Sequence, residues 1–105
     1  MSSVAKPNEP DWDGLKQSPG MVLLDFYADW CAPCKALASV LDRVARHQRD
    51  LTVVRINIDE NETITAKFEV KAIPTLVFLF DGEERERLTG VTTDQVIEQT
   101  LNRIR

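Results

Sequence analysis

Cysteine and histidine are scarce in this 105-residue chain, with two Cys and one His. Structural zinc and iron–sulfur sites usually take four protein ligands, so a metal centre here would need a dimer pooling two Cys pairs. No excess of positive charge exists either. The net charge is -4 and the pI near 4.9, which argues against nucleic acid or an anionic membrane as main partner. Apolar runs are only strand-sized, so no membrane-spanning helix is expected. Residues 1–14 lack the apolar core of a signal peptide, and Glu9, Asp11 and Asp13 do not suit a mitochondrial leader. The expected compartment is the reducing cytoplasm, where a close Cys pair is more often catalytic or metal-binding than structural. No repeat or low-complexity tract is present.

What remains is an ordinary soluble composition, 43% hydrophobic and 29% charged, long enough for one core and one domain over residues 1–105. Met1 to Pro10 reads as a loose tail, at best an edge strand because of Pro7 and Pro10. A short helix is predicted over 11–17, ended by Ser18-Pro19-Gly20. Met21 to Tyr27 is almost continuously apolar, as a strand covered on both faces would be. From Cys31 to His47, Leu37, Val40, Leu41 and Val44 recur at helical spacing. Leu51 to Ile58 reads as a strand with Val54, Ile56 and Ile58 on one face, and 61–68 as a short helix. Thr75 to Phe80 is an apolar strand, joined through an Asp81-Gly82 hairpin turn to a charged edge strand from Glu83 to Leu88. A helix over 93–104, capped by Thr92 or Thr93, carries Ile97, Leu101 and Ile104 on one stripe. This order implies an α/β fold: a central mixed β-sheet flanked by helices on both faces.

The most informative segment is Trp30-Cys31-Ala32-Pro33-Cys34-Lys35, at a strand-to-helix junction. Two thiols three residues apart suit a disulfide that opens and closes, while a metal-ligand pair is the alternative. Pro33 falls in the first helical turn, where its missing N–H costs little. Asp25 is a carboxylate inside a run of Val, Leu, Phe and Tyr. Burying it charged costs several kcal/mol, roughly, so its pKa should be raised; a carboxyl merely satisfied by a hydroxyl or water is the plainer reading.

The segment from Asp25 to Lys35 resembles the active-site segment of the thioredoxin family almost residue for residue. Asn57-Ile58-Asp59 followed by Ile73-Pro74-Thr75 resembles its second signature, and Asp81-Gly82-Glu83 and Gly90 fall at the family's hairpin turn and groove glycine. The resemblance runs from Met21 to the C-terminus. It implies a thioredoxin fold and a protein-disulfide reductase working through a redox-active Cys31–Cys34 disulfide. Cys31 would be the half-exposed nucleophile at a helix N-terminus, and Cys34 the deeper, resolving thiol. Asp25 would move the proton that resolution requires. The Ile73–Pro74 bond would be cis. Trp30, Ala32, Pro33, Ala72, Ile73, Pro74, Gly90 and Val91 would surround the thiol as a substrate-docking rim.

Three positions depart from the family pattern: Ala32 where glycine is usual, Arg55 where lysine is usual, and Ser39 where a proline often kinks the helix. Arg55 cannot share a proton and acts on Asp25 only as a fixed charge; a solvated strand-face charge is the alternative. The family's first strand is expected to be short or missing. No glycine-rich dinucleotide loop exists, so electrons should arrive from an NADPH-dependent thioredoxin reductase, with no cofactor or metal on this chain. The expected partners are that reductase and proteins bearing disulfides, and the expected state is a monomer. Competing readings are the same fold poised as an oxidase or isomerase, a thioredoxin-like interaction module, and a metal-bridged dimer. His47, Lys35 and Trp12 are read as surface or packing residues.

Overall fold

The computed structural model describes residues 3–5 and 12–105, with side chains from Gly14 onward. The packing expected of the Trp12 side chain lies outside the described residues, as does most of the tail. Within that tail, Ser3–Ala5 forms a short strand, β1. Then follow α1 (Trp12–Gln17), β2 (Met21–Tyr27), α2 (Ala32–His47), β3 (Leu51–Asn57), α3 (Glu62–Lys67), β4 (Thr75–Phe80), β5 (Glu83–Thr89) and α4 (Asp94–Ile104). The five-stranded sheet has the order β1-β3-β2-β4-β5. β3 runs parallel to β1 and β2, while β4 is antiparallel to β2 and β5 to β4. This is the expected thioredoxin fold, with its first strand short but present.

The central strand β2 explains the layers. Side chains alternate across a strand, so Met21 and Leu23 join Leu37, Leu41 and Val44 of α2 and Ile97 and Leu101 of α4. Val22, Leu24 and Phe26 turn the other way, into a cluster with Val54, Ile56, Ile64 and Phe68, against which Leu15 and Ile58 pack. Helices therefore cover both faces. Asp25, in register with Leu23, is carried toward α2. Each fully buried Leu or Phe contributes about 1.5–3 kcal/mol, so β2 holds its central place despite one buried carboxyl.

Helix α2 runs unbroken through Ser39 to His47; without a proline there, the i to i−4 ladder has no reason to kink. The Asp81-Gly82 turn has positive φ at both residues, +51° and +84°, as a tight hairpin requires. A Cβ at Gly82 would collide with the Lys16 carbonyl oxygen at the end of α1. Asp81 also ties the turn to the loop before β2, accepting from the Gly20 N–H at 2.7 Å.

Candidate functional site

The chain leaves the C-terminal end of β2 and enters α2 through Ala28–Cys31. Cys31 is the N-cap, with extended backbone (φ -95°, ψ 104°), and its sulfur accepts a hydrogen bond from the Cys34 N–H at 3.2 Å. A sulfur in that position faces the unpaired N–H groups of a helix start and the positive end of its dipole. The first turn of α2 contains no acidic residue to oppose negative charge there. Cys31 and Cys34 form a disulfide, with Cα atoms 5.3 Å apart.

Cys31 is less accessible than expected. It is 6% exposed rather than half exposed, against 1% for Cys34. Cys31 packs with Ala28 and Cys34, and the side chains of Tyr27, Ile58 and Ile73 close over this group. Its bond to Cys34 further covers the sulfur. The expected order, Cys34 deeper than Cys31, holds.

In front of the disulfide lies an open apolar rim. Trp30 is 69% exposed and Val91 58%; Ala32, Pro33 and Ala72 are also exposed, Ile73 and Gly90 are half-buried, and Pro74 is buried beneath. The Ile73–Pro74 peptide bond is cis, as expected. The Gly90 N–H donates to the Pro74 carbonyl at 2.8 Å, which brings Val91 alongside this segment. Gly90 has φ +91°, a conformation in which L side chains are strained.

Behind the disulfide a charged pair takes the place of the apolar rim. Asp25 is 1% exposed. Burial pushes its carboxyl up to about 6 from 3.8, partly opposed by the Arg55 charge and hydrogen bond. Arg55 stands opposite Asp25 in the parallel register of β2 and β3 and donates from Nε to Asp25 Oδ2 at 3.2 Å. Asp25 Oδ1 is buried with no hydrogen-bond partner among the described residues. A cavity of about 210 Å³, lined by Tyr27, Ala28, Asp29, Cys34, Lys35, Ala38 and Arg55, opens onto this side.

Two contributors escaped the sequence reading. Asp59 accepts from the Trp30 indole Nε1–H at 2.8 Å and so fixes the exposed ring. The loop that presents it is braced by Asn57, whose Oδ1 accepts from the Asp59 N–H at 2.9 Å and whose carbonyl accepts from buried Asn61 at 3.0 Å. Its signal was present in the Asn57-Ile58-Asp59 signature. The second is Tyr27, two residues beyond Asp25 on the same face of β2, with the Arg55 guanidinium carbon 4.1 Å from its ring centroid. Among the described residues no group of three His, Cys, Asp or Glu side chains is arranged to hold a metal ion, and no helix is long and apolar enough to cross a membrane.

A dithiol pair at a helix start, apolar in front and carrying a buried carboxyl behind, defines a thiol–disulfide oxidoreductase. The thioredoxin family model matches residues 4–103. The thioredoxin of Bacillus subtilis is 40% identical over 87 residues, covering 82% of this chain and 84% of its own. Among solved structures, a mutant thioredoxin from Halobacterium salinarum superposes with a TM-score of 0.85 at 30% identity, over 98% of this chain and 89% of its own. Fasciola hepatica thioredoxin gives 0.83 at 29% identity over the whole of both chains. The chain belongs to the thioredoxin family, and its activity is thioredoxin-like reduction of protein disulfides.

Proposed function

We propose that this activity proceeds by two exchanges with Cys31 attacking and Cys34 resolving. In the reduced protein the Cys31 thiolate attacks one sulfur of a substrate disulfide. A Cys31–substrate bond forms, the substrate S–S bond breaks, and the first substrate sulfur leaves as a thiolate. Cys34 then gives its proton to Asp25 and attacks the Cys31 sulfur. The Cys31–Cys34 disulfide forms, the mixed disulfide breaks, and the second substrate sulfur leaves and takes up a proton. Two electrons pass from the dithiol to the substrate. The observation that carries this reading is the asymmetry of the pair: the Cys31 sulfur sits as the N-cap acceptor beneath an exposed rim, whereas Cys34 abuts the half-open cavity shared with Arg55.

The rim of Trp30, Ala32, Pro33, Ile73, Pro74, Gly90 and Val91 receives an extended, apolar stretch of substrate beside the thiol. The chain works as a monomeric single domain in the cytoplasm, without bound cofactor or metal. It is returned to the dithiol by an NADPH-dependent thioredoxin reductase, since a dithiol spent as reductant needs a source of electrons in its compartment. Cys31→Ser is expected to reduce insulin disulfides no faster than background, while Cys34→Ser accumulates a mixed disulfide visible by non-reducing mass spectrometry. Equal trapping by both variants would overturn the assignment. Equilibration against a dithiol standard should place the couple below about -230 mV; a midpoint of about -120 to -180 mV would make it an oxidant or isomerase instead.

A further inference from the structure

The geometry points to Tyr27 as a positioning residue that holds Arg55 against Asp25 in a one-point contact and thereby sets the proton affinity of the base that serves Cys34. This rests on Asp25 being that base. Three observations on one face of the sheet carry it. The Arg55 guanidinium lies over the Tyr27 ring, 4.1 Å from its centroid. Only its Nε–H reaches the carboxyl, at 3.2 Å from Oδ2, although an arginine can pair both carboxylate oxygens. The Oδ1 atom is left buried and without a partner among the described residues, available to accept a proton.

Tyr27 and Arg55 both line the 210 Å³ cavity that touches Cys34, whereas Asp25 does not. Arg55 therefore contacts Asp25 at one end and borders the open space along its side chain. Its long side chain has room to swing into that space, where hydration would favour a guanidinium. The tyrosine ring opposes that movement, because a cation over an aromatic face is attracted most when partly desolvated. Around the pair the ionisable groups are Lys35 from α2, and Tyr27 and Asp29 from β2 and the loop after it, while Cys34 of α2 is held in the disulfide. On β4 the residue facing Asp25 is Leu76, which contributes no charge.

Removing the ring should free Arg55 and withdraw the influence that holds the Asp25 carboxyl down against desolvation. The test follows the Asp25 carboxyl by 13C NMR across pH in the oxidised protein. In parallel it follows the pH profile of single-turnover reduction of a peptide disulfide. Tyr27→Leu is expected to raise the Asp25 midpoint and to move the kinetic profile upward by the same interval. Each pH unit of that rise cuts the ionised fraction about tenfold below the midpoint. Tyr27→Phe, which keeps the ring, should retain the wild-type midpoint. Arg55→Gln should reproduce the Tyr27→Leu displacement, and combining the two should add nothing further, as expected of residues acting through one contact.

An unchanged midpoint in Tyr27→Leu would overturn the inference, as would additive displacements in the double variant. A slower reaction with an unmoved profile would do so too, because it would mark a merely structural role. The underlying reading fails separately: Asp25→Asn resolving the mixed disulfide at the wild-type rate would remove Asp25 as the base, while the NMR midpoint would still report whether Tyr27 holds Arg55.

Discussion

The front and the rear of the Cys31–Cys34 disulfide are built on opposite principles. In front, Trp30 and Val91 leave large apolar surface in water, which is favourable only when a partner covers it. The rear instead buries a carboxyl against a half-buried arginine of the neighbouring strand, a costly arrangement unless the charge has work to do. Contact energy is thus available on one side and proton affinity is adjusted on the other. Because α2 begins between them, Cys31 meets the first environment and Cys34 the second. The comparison predicts separability: front substitutions should change substrate capture and rear ones the pH dependence.

The largest expected effect is at the rear. Asp25→Asn removes the proposed acceptor and should slow mixed-disulfide resolution on the order of a hundredfold near neutral pH, in stopped-flow single turnovers. Stability should move the other way. The folded-state carboxyl titrates at about 6 against an ordinary 3.8, so the folded protein holds the proton more tightly than the unfolded chain. Stability contributed by that proton is present below pH 3.8 and is lost as pH rises through about 6. Asparagine abolishes this loss. The variant should gain about 1–3 kcal/mol at pH 7 and nothing in acid, read from urea midpoints across pH. The lower bound allows for Arg55 losing its partner. A variant less stable than wild type at pH 7 would mean that the ion pair outweighs the desolvation of the carboxyl.

A front substitution comes next. Trp30→Ala removes the exposed ring that Asp59 orients and should cost about 1–2 kcal/mol of substrate binding, roughly a five- to thirtyfold rise in KM. The Asp25 midpoint and the resolution rate should stay as they are. If they move with KM, front and rear are one coupled unit and the division between them is wrong.

How far this division was legible in the sequence depends on how local each signal is. β2 announced itself as a covered strand because apolar residues fill both of its faces, and Asp25 stood out as the single exception. The hairpin was readable because Asp81-Gly82 can adopt two positive φ angles in succession. Strand β1 carried no such signal: three residues on a parallel edge are defined by pairing with β3, far away in the chain. The depth of Cys31 was misjudged for the same reason. It is covered by Ile58 and Ile73, which reach it from two distant loops. The Tyr27–Arg55 stack required the register of β2 against β3, which no periodicity supplies, although Tyr27 sits two residues from Asp25 in plain view.

The smallest expected effect is also the most discriminating for the rear. Arg55→Lys keeps the positive charge and approximate length, so a purely coulombic view expects no change. Lysine, however, replaces a planar, weakly hydrated guanidinium with a compact, strongly hydrated ammonium. It loses much of the stack on Tyr27 and is drawn more strongly to water through the cavity. The cation then spends less time at Oδ2, and desolvation of Asp25 is opposed less. Its midpoint should rise modestly above about 6, and the stability lost with increasing pH should extend to correspondingly higher pH. Carboxyl NMR in both proteins reads this directly. An identical midpoint would mean that any cation at this position serves equally, and that the arginine carries no specific part in tuning Asp25.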